Sequence, residues 1–140
     1  GDYFRSHSAV PLRFAELALL VHARIWNDNY EWNLHYKRSL EAGLESSVVE
    51  SIRQGQGPKF SQNDEEVIFS FCLSLCVEHS VSDEIYKATL NVLGEKGLVD
   101  LSLMMGQFSS LSYIISISQS TPVENQSPTL TIVEGPIFQN

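Results

Sequence analysis

The sequence predicts an all-α protein, and three observations lead to that prediction. Apolar residues recur at intervals of three and four along most of the chain, which is the period of an amphipathic helix. Glycines and polar clusters interrupt this pattern where helices would begin and end. Only residues 130–133 have the composition of a strand. We expect about six helices within residues 1–120, followed by an extended, proline-containing tail over residues 121–140.

The first half of the chain predicts three helices. A proline suits the first turn of the first helix, because its missing N–H has no helical partner there. Asp28 and the asparagines beside it can cap the second helix, and Ser47 with Glu50 has the spacing of a capping box for the third. These helices are expected at residues 11–26, 30–42 and 47–54.

The second half repeats this pattern after a glycine- and proline-containing loop at residues 55–58. Ser61 and Asp64 have a spacing similar to that of a capping box. Ser82 can start a later helix, which Gly94 ends, and another helix follows it. These helices are expected at residues 64–78, 82–93 and 96–117.

Composition limits the possible functions. Among 140 residues, 17 acids and 9 bases give a net charge of −8, which argues against a nucleic-acid partner because phosphates require a basic surface. No uninterrupted apolar run reaches the roughly 18 residues of a membrane span, so no membrane association is expected. Cys72 and Cys76 lie in one apolar segment without a second pair. A disulfide framework is therefore not expected, and the default location is the cytoplasm.

Three residues are candidate catalytic groups: Glu16, Glu31 and His35. Glu16 lies inside an apolar helical run, where its carboxyl group would be desolvated and better suited to proton transfer. Alternatively, it pairs with a helix end or with an arginine such as Arg13 or Arg24. Glu31 precedes His35 by four residues, so both share one helix face and the carboxylate can orient the imidazole. The alternative is an exposed helical ion pair of little consequence.

The residues around these groups predict a partly buried site. Tyr30 and Trp32 flank Glu31 in sequence, and His22 lies one helix earlier. A metal site built from His22, His35 and carboxylates is an alternative, but these ligands have no recognisable spacing. Cys72 and Cys76 do not form a Cys-x-x-Cys motif and are interpreted as buried apolar residues. The sequence contains no phosphate-binding glycine loop and no nucleophile elbow.

The order of these motifs resembles that of carboxymuconolactone decarboxylase-like proteins, over about residues 11–118. Glu16 comes first, and the matching blocks continue to a late glycine and phenylalanine. They are Ala23-Arg24-x-Trp26, Tyr30-Glu31-Trp32-x-x-His35, Ala42-Gly43-Leu44, Ile52-Arg53-x-Gly55, Pro58-x-Phe60, His79-x-Val81-Ser82-Asp83, Leu93-Gly94, Gly97-Leu98-Val99-Asp100-Leu101 and Gly106-x-Phe108.

The resemblance implies an AhpD-like orthogonal helical bundle that assembles into homo-trimers or hexamers, with active sites near subunit contacts. It also implies a cofactor-free lyase acting on a small molecule, such as a lactone or an activated carboxylic acid. Residues 28 and 31 stand where peroxidase relatives have cysteines, so this chain resembles the branch without the redox pair. His35 would be the general acid/base held by Glu31, and Glu16 would donate a proton to the developing oxyanion.

The same resemblance implies that three further residues bind substrate by lining the pocket: His22, Tyr30 and Trp32. Two other functions remain open at this stage. One is a thiol peroxidase that uses Cys72 and Cys76. The other is a non-catalytic oligomeric binding subunit, which would be favoured if the three acid–base groups were widely separated or exposed to solvent.

Overall fold

The computed structural model describes residues 7–122 and 127–139, and within them the chain is all-helical, as predicted. These two ranges contain five α-helices and no β-strand. A π-helix, Ser74–Glu78, continues directly from the fourth α-helix. The α-helices are α1 (Leu12–Ile25), α2 (Asn29–Glu41), α3 (Ser46–Arg53), α4 (Asn63–Leu73) and α5 (Asp83–Ser118).

Helix α1 is the centre of the bundle. It packs against each of the other four α-helices, and every residue from Glu16 to Arg24 is buried. Such a helix must be enclosed on all sides, because it has no face that is left for water. Its polar members Glu16, His22 and Arg24 are therefore buried with it and depend on partners from neighbouring elements.

Asp28 connects the start of α2 to α5. One carboxylate oxygen accepts a hydrogen bond from the backbone N–H of Glu31 at 3.0 Å, which caps the helix as the sequence predicts. The other oxygen accepts a hydrogen bond from the Ser112 hydroxyl at 2.9 Å. The cap thus fixes both the first turn of α2 and its position against α5.

The two predicted capping boxes do not form. Ser47 lies inside α3, because that helix begins one residue earlier, after Glu45. The Ser61 hydroxyl donates to the Glu45 carboxylate instead of capping α4. Helix α4 begins at Asn63 and has no side-chain cap. Capping requires the serine to be the last residue before the helix, and in neither case does the helix begin at that point.

The last two predicted helices form one interrupted helix, α5. The Ser82 hydroxyl accepts a hydrogen bond from the backbone N–H of Ile85 and caps its start, as predicted. Gly94 breaks the helix with φ of 71° and ψ of 173°, a conformation that favours glycine. The described residues contain five α-helices, against about six expected, when the two segments on either side of Gly94 are counted as one helix. The interruption itself lies at the predicted residue.

The C-terminal tail, residues 127–139, has no regular secondary structure and contacts the helices. The indole N–H of Trp32 donates to the Pro128 carbonyl at 2.8 Å, and the Arg53 guanidinium donates to the Thr129 carbonyl at 2.8 Å. The backbone N–H of Leu130 donates to the Asn29 side chain. Residues 130–133 form no strand, and the Thr131 backbone bonds instead to the Arg53 carbonyl and the Arg24 guanidinium.

Helix α5 has an apolar surface that nothing in the described residues covers. Val99, Leu103, Ile114 and Ile117 are all exposed. By length and composition the helix could also cross a membrane, which differs from the expectation above. A single helix of this kind is weak evidence of a membrane span.

Candidate active site

Helices α1 and α2 bring the three predicted acid–base residues together. Glu16 projects from the buried central helix, while Glu31 and His35 lie one turn apart on α2. Their exposed fractions are 5%, 5% and 7%, respectively. These groups are neither separated nor exposed, so the condition that favoured a non-catalytic binding subunit is not met.

The imidazole of His35 lies between the two carboxylates. Its Nδ1 is 2.7 Å from Oε2 of Glu16, and because a carboxylate can only accept, Nδ1–H is the donor. Its Nε2 is 3.4 Å from Oε2 of Glu31. The shorter contact belongs to Glu16, whereas the sequence had suggested that Glu31 holds the ring. Glu16 therefore fixes the orientation of the ring, and Nε2 is the nitrogen on the Glu31 side.

The two carboxylates also determine the charge of His35. Burial by itself disfavours the imidazolium ion. Hydrogen bonds and negative charge from Glu16 and Glu31 outweigh that penalty, so the pKa of His35 lies above its ordinary value of 6.5. His35 therefore holds its proton at a higher pH than a free imidazole does.

These three residues line a cavity of about 430 Å³ between α1, α2 and α5. Its inner walls are largely apolar and include Leu19, Met104 and Phe108. Its exposed lining includes Leu12, Leu34 and Leu111, which surround the opening. This combination of apolar walls and a few converging polar groups is typical of small-molecule sites.

Three lining residues were not predicted as site residues from the sequence. The ring of Phe108 meets the His35 imidazole edge-on at 5.6 Å between centroids. Arg38 and Gln107 add polar groups to the cavity. The sequence does contain an indication for Arg38, because this residue follows His35 by three positions and therefore lies on the same helix face. Gln107 and Phe108 come from α5, and only the tertiary structure brings them here.

The structure does not bring the three predicted substrate-binding residues to this cavity. Trp32 is fully buried in the core and its N–H holds the tail, so it faces away from the opening. Tyr30 lines a separate surface pocket at the start of α2. His22 is buried against α5, where its Nε2 lies 3.1 Å from the Ser109 hydroxyl. Sequence proximity misled here, because successive helical residues point in different directions.

The two cysteines are free and unsuited to peroxide chemistry. Cys72 is completely buried and Cys76 is partly buried. Burial raises the pKa of Cys72 well above its ordinary value and raises the pKa of Cys76 to about 11. The reactive form is the thiolate, which these values keep scarce at neutral pH. The interpretation as a buried apolar residue is confirmed for Cys72, whereas Cys76 is only partly buried. The raised pKa values of both thiols remove the main support for the thiol peroxidase alternative.

Within residues 7–122 and 127–139, no three or more His, Cys, Asp and Glu side chains are arranged to hold a metal ion. His35 is one example, because its Nδ1 faces the carboxylate of Glu16 and its Nε2 faces the carboxylate of Glu31.

Comparisons of the chain with family models, with curated proteins and with solved structures find no match.

Proposed function

We propose that this protein is a cofactor-free acid/base lyase, similar to carboxymuconolactone decarboxylases, with an AhpD-like arrangement of its helices. One observation carries the proposal: a buried imidazole held between two carboxylates at the wall of a largely apolar cavity. The substrate would be a lactone or an activated carboxylic acid. Decarboxylation or a related C–C cleavage or isomerisation would require one proton to move between His35 and a substrate carbon.

In the decarboxylation, the bond between the substrate and its carboxylate breaks and CO₂ leaves. The bonding electrons flow into a conjugated carbonyl group and form an enolate. His35, as the imidazolium, then gives the Nε2 proton to the enolate carbon and becomes neutral. Solvent restores the proton before the next turnover. The net reaction consumes one proton and releases one CO₂.

The two glutamates would have different roles in this reaction. Glu16 is a positioning residue, since its hydrogen bond occupies Nδ1 at 2.7 Å, and we assign the reacting proton to Nε2, which has the longer 3.4 Å contact with Glu31. Glu31 lies beside Nε2 and favours the protonated ring through its charge. This assignment replaces the earlier expectation that Glu16 itself donates to the oxyanion, because its Oε2 is already occupied by His35.

Assembly into a homo-oligomer is part of the same proposal. The exposed apolar side chains of α5, and the leucines around the cavity opening, support an interface between copies of the chain. Trimers or hexamers are the states that the family resemblance implies. The free cysteines are compatible with the proposed cytoplasmic location.

Decarboxylation in D₂O tests the proposed reaction. We expect the purified protein to release CO₂ from a member of a set of γ-lactone acids and β-keto acids. The product should carry one deuterium at the carbon that lost CO₂, delivered to a single face because His35 is fixed. Mass spectrometry and NMR measure both features. Absence of CO₂ release and of hydrogen–deuterium exchange above the buffer rate, across the whole set, would contradict the proposal.

A further inference from the structure

The charges around the cavity are unevenly distributed. The buried part contains Glu16 and Glu31, with His35 between them. Arg38 also lines the cavity but is exposed to solvent, so it lies toward the opening. Among the described lining residues, Arg38 is the one permanent cation. An anionic group on a ligand is therefore repelled from the buried part and attracted to the opening.

The position of Arg38 on α2 follows from helix geometry. Glu31, His35 and Arg38 lie on one face of the helix, at intervals of four and three residues. Three residues correspond to about 4.5 Å along the helix axis. A ligand group held by Arg38 thus has its next few atoms beside the His35 ring.

Arg38 has no described acidic partner, unlike its neighbour Lys37. The Lys37 ammonium group is 3.6 Å from Oε1 of Glu41, and it does not line the cavity. No described carboxylate lies within ion-pair distance of Arg38. Its location in the last turn of α2 also places its charge near the negative end of the helix dipole, which is compatible with ligand binding on the cavity side.

We infer that Arg38 binds a carboxylate of the substrate, so that the cavity takes an organic acid with an apolar body. The planar guanidinium can bind a carboxylate through two parallel hydrogen bonds. An ion pair of this kind stabilises the ionised acid, so the group that Arg38 holds is retained in the product rather than lost as CO₂. The apolar walls accommodate the rest of the molecule, and the reacting carbon reaches Nε2 of His35.

This inference rests on the proposed function for its substrate, but ligand binding tests it separately. The probes are 3-phenylpropionate and its neutral amide, which differ in charge and hardly in shape. Binding is followed through the NMR signals of the His35 and Phe108 rings. We expect the wild-type protein to bind the acid about fivefold more tightly than the amide, as an exposed ion pair allows.

Three variants complete the experiment. Arg38→Gln should remove the preference for the acid and leave amide binding unchanged, whereas Arg38→Lys should retain part of the preference. Lys37→Gln removes the same charge from the adjacent position, and this variant should keep the full preference for the acid. If the ratio of the affinity for the acid to the affinity for the amide is the same in the wild-type protein and in Arg38→Gln, the inference is overturned. An Arg38-dependent preference without CO₂ release would instead count against the proposed lyase alone.

Discussion

Replacing His35 with asparagine should lower kcat by about 10²- to 10⁴-fold, the usual contribution of a positioned acid or base. The asparagine amide can still donate to Glu16 from near the position of Nδ1, so the packing between α1 and α2 is largely retained. What is lost is Nε2, the atom that we propose carries the reacting proton. CO₂ release under saturating substrate measures the effect, and circular dichroism confirms that the variant is folded.

His79→Asn is the matched control for this experiment. His79 is exposed, lies outside the cavity of the acid–base residues, and has a positive φ of 55° that asparagine tolerates. Its replacement should leave kcat within about twofold of the wild-type value. A His35→Asn variant with activity as close to wild type as the control would show that His35 does not transfer the proton.

Replacing Trp32 with alanine should lower the free energy of unfolding by about 3–5 kcal/mol. The indole is fully buried, and its N–H binds the Pro128 carbonyl of the tail at 2.8 Å. Truncation leaves a cavity in the core and removes this contact between α2 and the tail. Because domains are stable by only about 5–15 kcal/mol, such a loss is a large part of the total.

Urea unfolding followed by far-ultraviolet circular dichroism measures this change without depending on tryptophan fluorescence. Trp26→Ala is the control, because Trp26 is 40% exposed and packs edge-on against Tyr113 at 4.9 Å between centroids. Its loss should cost less than about 2 kcal/mol. A Trp32→Ala variant no less stable than Trp26→Ala would contradict the role of Trp32 as a core residue that anchors the tail.

The sequence predicts the helices well, because their periodicity and several of their ends are local features. Asp28 caps α2 and Gly94 breaks α5, as the residue types suggest. The serine capping boxes fail because Ser47 and Ser61 can serve more than one local role, and the helices begin elsewhere. Helix starts depend on tertiary packing as well as on the capping residue.

The candidate site is predictable only where it depends on spacing within a helix. Glu31 and His35 follow from their separation of four residues, and Glu16 from its apolar surroundings. The contribution of α5 could not be foreseen, because Phe108 reaches His35 only when distant elements pack together. The prediction for Trp32 is wrong for a related reason: Glu31, which precedes it, faces the cavity, but the Trp32 side chain points into the core.

The pKa of His35 also affects stability. A histidine whose folded pKa is raised stabilises the protein fully below the unfolded value, near 6.5, and this stabilisation is lost as the pH rises through the folded pKa. His22 opposes this trend, because burial lowers its pKa despite the charges of Asp28 and Glu31. A titration of His35 itself is therefore more informative than stability measured against pH.

An NMR titration of the His35 ring tests the central claim most directly, which is that Glu16 and Glu31 hold this imidazole ready to carry a proton. We expect a midpoint above 6.5 in the wild-type protein, because both carboxylates outweigh the cost of burial. Glu16→Gln keeps an acceptor for Nδ1–H but removes its charge, and the midpoint should fall. A wild-type midpoint at or below 6.5, unchanged in Glu16→Gln, would contradict the claim.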